Sequence, residues 1–240
     1  MVAELNIPRH AYYQRRNNIR LPRRAESRTW IDTTGASVSP GDALPQPTIV
    51  SQNTTGAGGA MAFAASLIGD YLFHWGTGAA LSVPPSPAGY TVLGAGLISD
   101  AATTDCAAVL SAKKVTANAE GIAAVGSSRG IGVLVRGLDP NYLADLTGDF
   151  VYNGALGTAL TIPALTASKA VPYLVFSKLA GTSSIPLTGL GMTELAAAGA
   201  ASAEARAAVV AATTSFAGGA IGTTTVGAGR VVAVAALYGP

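Results

Sequence analysis

One cysteine, two histidines and charged residues at only 12% of 240 positions set the first limits on this chain. With Cys106 alone, no intrachain disulfide and no cysteine-based metal cluster can form. Within Cys106-Ala-Ala-Val-Leu110 it reads as a small buried residue. The histidines, His10 and His74, stand far apart with no carboxylate cluster beside them, so a two-histidine metal site is not indicated. A Ser-His-Asp triad would need His74 and a Gly-x-Ser-x-Gly elbow, and no elbow is expected; the scattered carboxylates form no glycosidase-style pair. The scarcity of charge also excludes a disordered chain, which depends on charge and polarity. Two long charge-free runs, 71–99 and 207–229, do not read as membrane helices: the first carries Pro84, Pro85 and Pro87, the second five glycines and many threonines. No apolar segment follows the early arginines, so no secretion signal is expected. The resulting expectation is a soluble, non-enzymatic protein without cofactor or metal.

What is abundant is small. The chain is 49% hydrophobic and has 29 glycines, with Ala and Val in excess and few aromatics. That composition suits a packed, turn-rich protein, and the length suits one large all-β domain or two small ones. Small side chains leave little bulk to fill a core, so a homo-oligomer is expected, a trimer as first choice, with the final strand near the contact.

Charge is unevenly placed. Seven of the fifteen basic residues precede position 30: Arg9, Arg15, Arg16, Arg20, Arg23, Arg24 and Arg28. Against Glu4 and Glu26 they leave residues 1–30 at about +5, while the remaining eight basic and eleven acidic groups net −3. Residues 1–46 are also broken by Pro8, Pro22, Pro40 and Pro45 and interleave Tyr12, Tyr13 and Trp30 with the arginines. This reads as an extended docking arm ahead of a body spanning 47–240. Arginine pairs bidentately with carboxylates, so a protein partner ranks first, a solvated tail second and nucleic acid third.

From Thr48 onward, short β-like runs alternate with Gly, Pro, Asn and Asp punctuation. Strands are expected at Thr48–Asn53, Ala60–Ala65, Tyr71–Gly76, Tyr90–Ala95, Ala107–Val115 and Ile131–Val135. Later ones are expected at Thr158–Pro163, Val171–Lys178, Ala205–Ala212 and Val231–Tyr238. The pattern predicts an antiparallel β-sandwich, jelly-roll-like, rather than βαβ units. Thr193–Ala212 is the exception: it is rich in Ala with Glu194, Glu204 and Arg206, so a helix competes there with a loop leading into a strand. Alternation within Tyr71-Leu-Phe-His-Trp75 puts His74 on the solvent face or rim of its strand.

Val125-Gly-Ser-Ser-Arg-Gly-Ile-Gly132 has the glycine spacing of a short-chain dehydrogenase loop. The β-branched residues that follow reach Pro140 too soon for the required helix. The family's Tyr-x-x-x-Lys is missed as well, since Lys178 stands one place too far from Tyr173.

Several phrases occur in a suggestive order: Gly69-Asp-Tyr-Leu-Phe-His-Trp75, Pro87-Ala-Gly-Tyr-Thr91, Ala112-Lys-Lys-Val115, Arg136-Gly-Leu-Asp-Pro140 and Gly191-Met-Thr193, before a last strand at Val231–Leu237. Together they resemble a β-sandwich module frequent in virion and tail-associated proteins of tailed phages. The resemblance covers roughly 47–240 and leaves residues 1–46 without a counterpart. It implies a structural protein on the surface of the virion, a capsid decoration or head-fibre subunit. The implied partners are the major capsid protein or other virion proteins, met through the arm. A minor tail or receptor-binding protein is the alternative. A carbohydrate-binding module would instead use Tyr71, Trp75 or Tyr90 as exposed stacking platforms.

Overall fold

The computed structural model describes residues 46–56, 58–78, 82–98, 106–126, 129–144, 150–180, 184–199 and 204–240, with the backbone alone at 156 and 224–228. It also describes the backbone of β1 (Trp30–Ile31), which pairs antiparallel with β2 (Ser37–Val38). The body holds ten further strands in two antiparallel sheets. β3 (Thr48–Gly56), β4 (Tyr71–Gly78), β5 (Thr91–Ile98), β6 (Cys106–Lys114) and β7 (Arg129–Arg136) form the first, in the order β3-β7-β4-β6-β5. β8 (Phe150–Ile162), β9 (Leu165–Leu179), β10 (Met192–Ala198), β11 (Glu204–Phe216) and β12 (Gly219–Ala236) form the second, in the order β10-β11-β9-β12-β8. The sheets stack with β3 against β10 and β5 against β8.

The expected two-layer sandwich is therefore present, but the jelly-roll likeness stops at the layers. A jelly roll carries the chain repeatedly between its sheets. Here each sheet is built from one continuous stretch, and the chain passes from first to second once, after β7. The last strand, β12, pairs on one side with β8 and on the other with β9, and Val231–Leu237 are buried. The buried stretch Val231–Leu237 serves the two cores, while Gly219–Thr223 at the start of the strand is partly exposed.

The scarce aromatic residues are concentrated between the sheets. Tyr71, Phe73 and Trp75 project inward from β4 and meet Phe176 and Tyr142. Trp75 stacks on Phe176 with ring centres 5.7 Å apart, and its Nε1 donates to the Ser177 carbonyl at 3.0 Å. Tyr152 reaches from β8 to β6, where its hydroxyl donates to the Ala108 carbonyl at 2.9 Å. Each such buried side chain contributes about 1.5–3 kcal/mol. The small residues are complementary to them. A Cβ at Gly94 would lie 2.5 Å from the Tyr152 ring and one at Gly96 3.0 Å. Alanines 108, 112, 205, 207 and 233 line the same core. Small residues thus make room for large ones within one chain, and the core does not depend on a neighbouring copy to fill it.

Both outer faces are covered too. Over the first sheet, Met61 and Ile122 form an isolated bridge, each donating its N–H to the other's carbonyl. Met61, Phe63, Val115 and Ile122 pack on Leu72 and Leu134. This is what becomes of the expected strand at Ala60–Ala65: its backbone makes one bridge, and its side chains serve as a lid. Gly132 lets the lid sit down, since a Cβ there would come within 2.7 Å of both Phe63 and Ile122. Replacing Gly132 with Val is expected to cost about 1–3 kcal/mol through overpacking, read by urea unfolding. A cost below about 0.5 kcal/mol would show that the lid moves aside freely.

No described residue of Thr193–Ala212 is helical. Thr193–Ala198 and Glu204–Ala212 fall in β10 and β11, which pair from Met192↔Val210 to Ala198↔Ala205. Alanine's helix preference is overridden because β11 is also bonded along β9 and buries Ala205, Ala207 and Ala208 against the two cores.

Candidate functional site

At one end of the first sheet, four of the quoted phrases converge. Tyr71 pairs with Lys114 on β6 and Val135 on β7, so Gly69–Asp70, Lys113–Val115 and Arg136–Pro140 share that end. Arg136 grips Asp70 through two bonds, Nε to Oδ1 at 2.9 Å and Nη2 to Oδ2 at 2.7 Å, and also donates to the Ala65 carbonyl. The second Asp70 oxygen accepts the Leu67 N–H at 2.9 Å. Asn118 accepts the Ile68 N–H, and Gly69 turns the chain at φ +96°. The Tyr71 hydroxyl donates to the carbonyls of Asp139 and Pro140, and Lys114 Nζ also reaches Pro140. Lys113 pairs with Glu120, which accepts from the Thr116 and Ala117 N–H groups. Pro87–Tyr90 turns nearby, with Gly89 at φ +78° beneath Lys113.

This scaffold holds Leu67 and Ile68 out to solvent, at 48% and 68% exposure, on a turn that four polar contacts fix in place. The same end receives the chain from residues 1–45: Thr48 pairs with Arg136, and Pro47 lies against Gly137. A rigid, exposed aliphatic tip beside the entry point suits recognition of another protein. Apolar side chains are also exposed at Val83 and Leu190 and on the edge strand β5, bonded only to β6 and showing Val92 and Leu97.

The residues that suggested chemistry are placed differently from expectation. His74 is not at a rim; it is fully buried, because the Met61–Phe63 lid covers the face to which it points. Its ring lies against Gly76 and Gly130, opposite Ser111, and neither ring nitrogen meets a hydrogen-bond partner. Burial lowers its pKa to about 4. Cys106 is buried as read, its thiol directed at the Lys178 carbonyl and pushed up to about 12 by burial, with Lys178 acting in the opposite sense. Lys178 itself is buried and has its pKa lowered by desolvation. Tyr173 and Lys178 stand on opposite faces of β9. The glycine-rich phrase runs directly into strand β7 rather than a helix. Contrary to the expectation that no Gly-x-Ser-x-Gly phrase occurs, Gly126-Ser-Ser-Arg-Gly130 spells one. An elbow needs a strand-to-helix turn, and a strand follows here. Tyr71 and Trp75, named as sugar platforms, are enclosed between the sheets, and Tyr90 is half-buried with its hydroxyl inside.

A charged group that sequence reasoning used only as helix evidence lies on the outer face of the second sheet. Arg206 Nη1 contacts both oxygens of Glu194 at 2.6 Å, and Nη2 pairs with Glu204 and donates to Ser184 Oγ at 2.7 Å. The carboxylates in turn accept the N–H groups of Ile185 and Leu187. Burial alone would lower the pKa of Arg206, but the two carboxylates outweigh it and raise it. Three charges of mixed sign, Glu194, Glu204 and Arg206, in an otherwise uncharged Ala-rich run were the available signal.

The expected docking residues Arg9, Tyr12, Tyr13, Arg15, Arg16, Arg20, Arg23, Arg24 and Arg28 lie outside the described residues, and Trp30 is described only by its backbone pairing. What fold and geometry define is an all-β protein with two antiparallel five-stranded sheets packed as a sandwich. Comparison with protein-family models, curated proteins and solved structures returns no match for the chain.

Proposed function

We propose that the chain is a non-enzymatic structural subunit of a tailed-phage particle, a capsid decoration or head-fibre protein attached through residues 1–46. One observation carries the reading: the rigid Leu67–Ile68 tip and the entry of the N-terminal segment at Thr48 share one end of the sandwich. A subunit with an apolar tip at the end where its body begins can dock that end and project the rest. The opposite charges of residues 1–30 and the body fit the same division of labour. The open edge of β5, rather than β12, is where copies would meet in a homo-oligomer.

Deleting residues 2–30 is expected to leave a folded body that no longer joins the particle, scored as subunit occupancy on purified virions. Replacing Arg15, Arg16, Arg23 and Arg24 with Ala should weaken docking and reduce its sensitivity to salt. Normal occupancy of the truncated body would move attachment onto the sandwich and defeat the proposal. A map of the intact particle separates the decoration reading from a minor tail or receptor-binding role.

A further inference from the structure

Arg230 is the one buried charge described here to which the fold gives no counterpart. It sits on β12 with 7% of its surface exposed, opposite Ala155 of β8 and Leu179 of β9. Lys178 is buried too, but it donates to the Leu179 carbonyl, and Arg206 has two carboxylates. For Arg230, no described carboxylate or carbonyl accepts from the guanidinium, and desolvation alone acts on it, lowering its pKa. A guanidinium has five donors and no acceptor, and it stays charged at any ordinary pH. Unlike the His74 ring nitrogens, its nitrogens are not sealed inside the protein: they face a cleft, where an entering anion can pair with them.

The surroundings are shaped for that. The register of β12 against β8 jumps between Thr223↔Ala159 and Ala228↔Gly157, so four residues of β12 oppose a single residue of β8. Next to this bulge a cleft of about 360 Å³ opens over the edge strand β8. Arg230 lines it, together with Asn153, Thr158, Thr161 and the small apolar Ala155 and Ala159. Gly157 is part of the construction: its φ is +153°, and a Cβ there would collide with the Arg230 guanidinium lying over it. Neither Leu67–Ile68 nor β5 belongs to this face.

We propose that this cleft is an oxyanion-binding site, in which Arg230 receives the carboxylate of a small polyhydroxylated acid such as a sugar acid. The planar fork of the guanidinium matches two carboxylate oxygens, and the Asn153 amide and Thr161 hydroxyl on β8 offer partners for ligand hydroxyls. The 360 Å³ volume is at the small end of ligand clefts, which suits one residue-sized ligand rather than a polymer segment. The proposal does not depend on the virion reading.

The test titrates the full chain with glucuronate, acetate and glucose, following the Nε–Hε resonance of Arg230 and, separately, calorimetric heat. Glucuronate should move the resonance saturably in the millimolar range, and glucose should not. Arg230→Gln should weaken glucuronate at least tenfold. Acetate binding as tightly as glucuronate would keep the oxyanion site and assign it to bare carboxylates. An unmoved Arg230 resonance with both acids would overturn the site, as would undiminished binding in Arg230→Gln. Should that variant not fold, the resonance in the unmutated protein decides alone.

Discussion

Replacing Arg206 with Met is expected to lower the unfolding free energy by about 3–5 kcal/mol at pH 7. The loss comes less from the missing attraction than from what is left behind. Glu204 is 3% exposed, and without Arg206 it becomes a buried carboxylate with no ion-pair partner in contact, facing only the more distant charge of Lys178. Glu194, whose side chain is a quarter exposed, can partly rehydrate and adds less. The loop at Ser184–Leu187 is tied to these carboxylates, so its apolar residues Ile185 and Leu187 loosen from the outer core as well. Adding Glu204→Leu to Arg206→Met should recover part of the loss, because the orphaned charge is gone. Salt should change the cost little, as a buried network is weakly screened. Urea unfolding of the three proteins makes the comparison. A single-variant cost under about 1 kcal/mol, the range of exposed pairs, would mean that the network is solvated in solution.

The second large effect is a loss of stability with falling pH that traces to one imidazole. His74 is fully buried beneath the lid and has its pKa lowered to about 4, against 6.5 in an unfolded chain. Its folded value is the lower one, so between pH 6.5 and about 4 the unfolded chain binds the proton first. Stability is therefore complete above 6.5 and drains away as the pH falls through that interval, by about 3 kcal/mol. His74→Leu should abolish this part of the pH dependence. It should also raise stability at pH 7, since no ring nitrogens are then left without partners. Glu120 gives a separate, lower window. Burial works to raise its pKa, but the Lys113 bond and the Thr116 and Ala117 N–H groups lower it overall. Its contribution is present above 4.5 and is lost below, in both proteins. Denaturant unfolding at pH 7, 5.5 and 4.5 distinguishes the two, and equal slopes for wild type and His74→Leu between 7 and 4.5 would refute the assignment to His74.

The strands were most legible where turn residues bracket a β-branched or aromatic run, as at Tyr71–Gly76 and Ile131–Val135, both of which the structure extends by a few residues. Faces were far less legible. Alternation assigns one side of a strand to water, but β4 is buried along its whole length because separate loops close over its outer side. No local pattern at His74 announces a lid supplied by Met61, Phe63 and Ile122. The same holds for Arg206 and Arg230: a charged residue in a strand normally marks the wet face, and here both faces of the second sheet carry cores. The helix alternative over Thr193–Ala212 failed for a related reason, since propensity is local whereas the neighbours along β9 are not. Of the candidate surface, the phrases Gly69–Asp70 and Arg136–Pro140 were visible, but their meeting through Asp70 and Arg136, 66 positions apart, was not.

The strand orders have a consequence for the making of the protein. β8 and β9 follow one another in the chain, yet β12 lies between them, and β11 and β12 are likewise parted by β9. These two hairpins interlock, so the second sheet has no complete form until the last strand has left the ribosome. The first sheet is whole by Arg136, a hundred residues earlier, with Tyr71, Phe73 and Trp75 already facing outward from it. During that interval the nascent chain carries a bare aromatic face, which makes it a natural client for holding chaperones and a target for premature association between neighbouring polysomal chains.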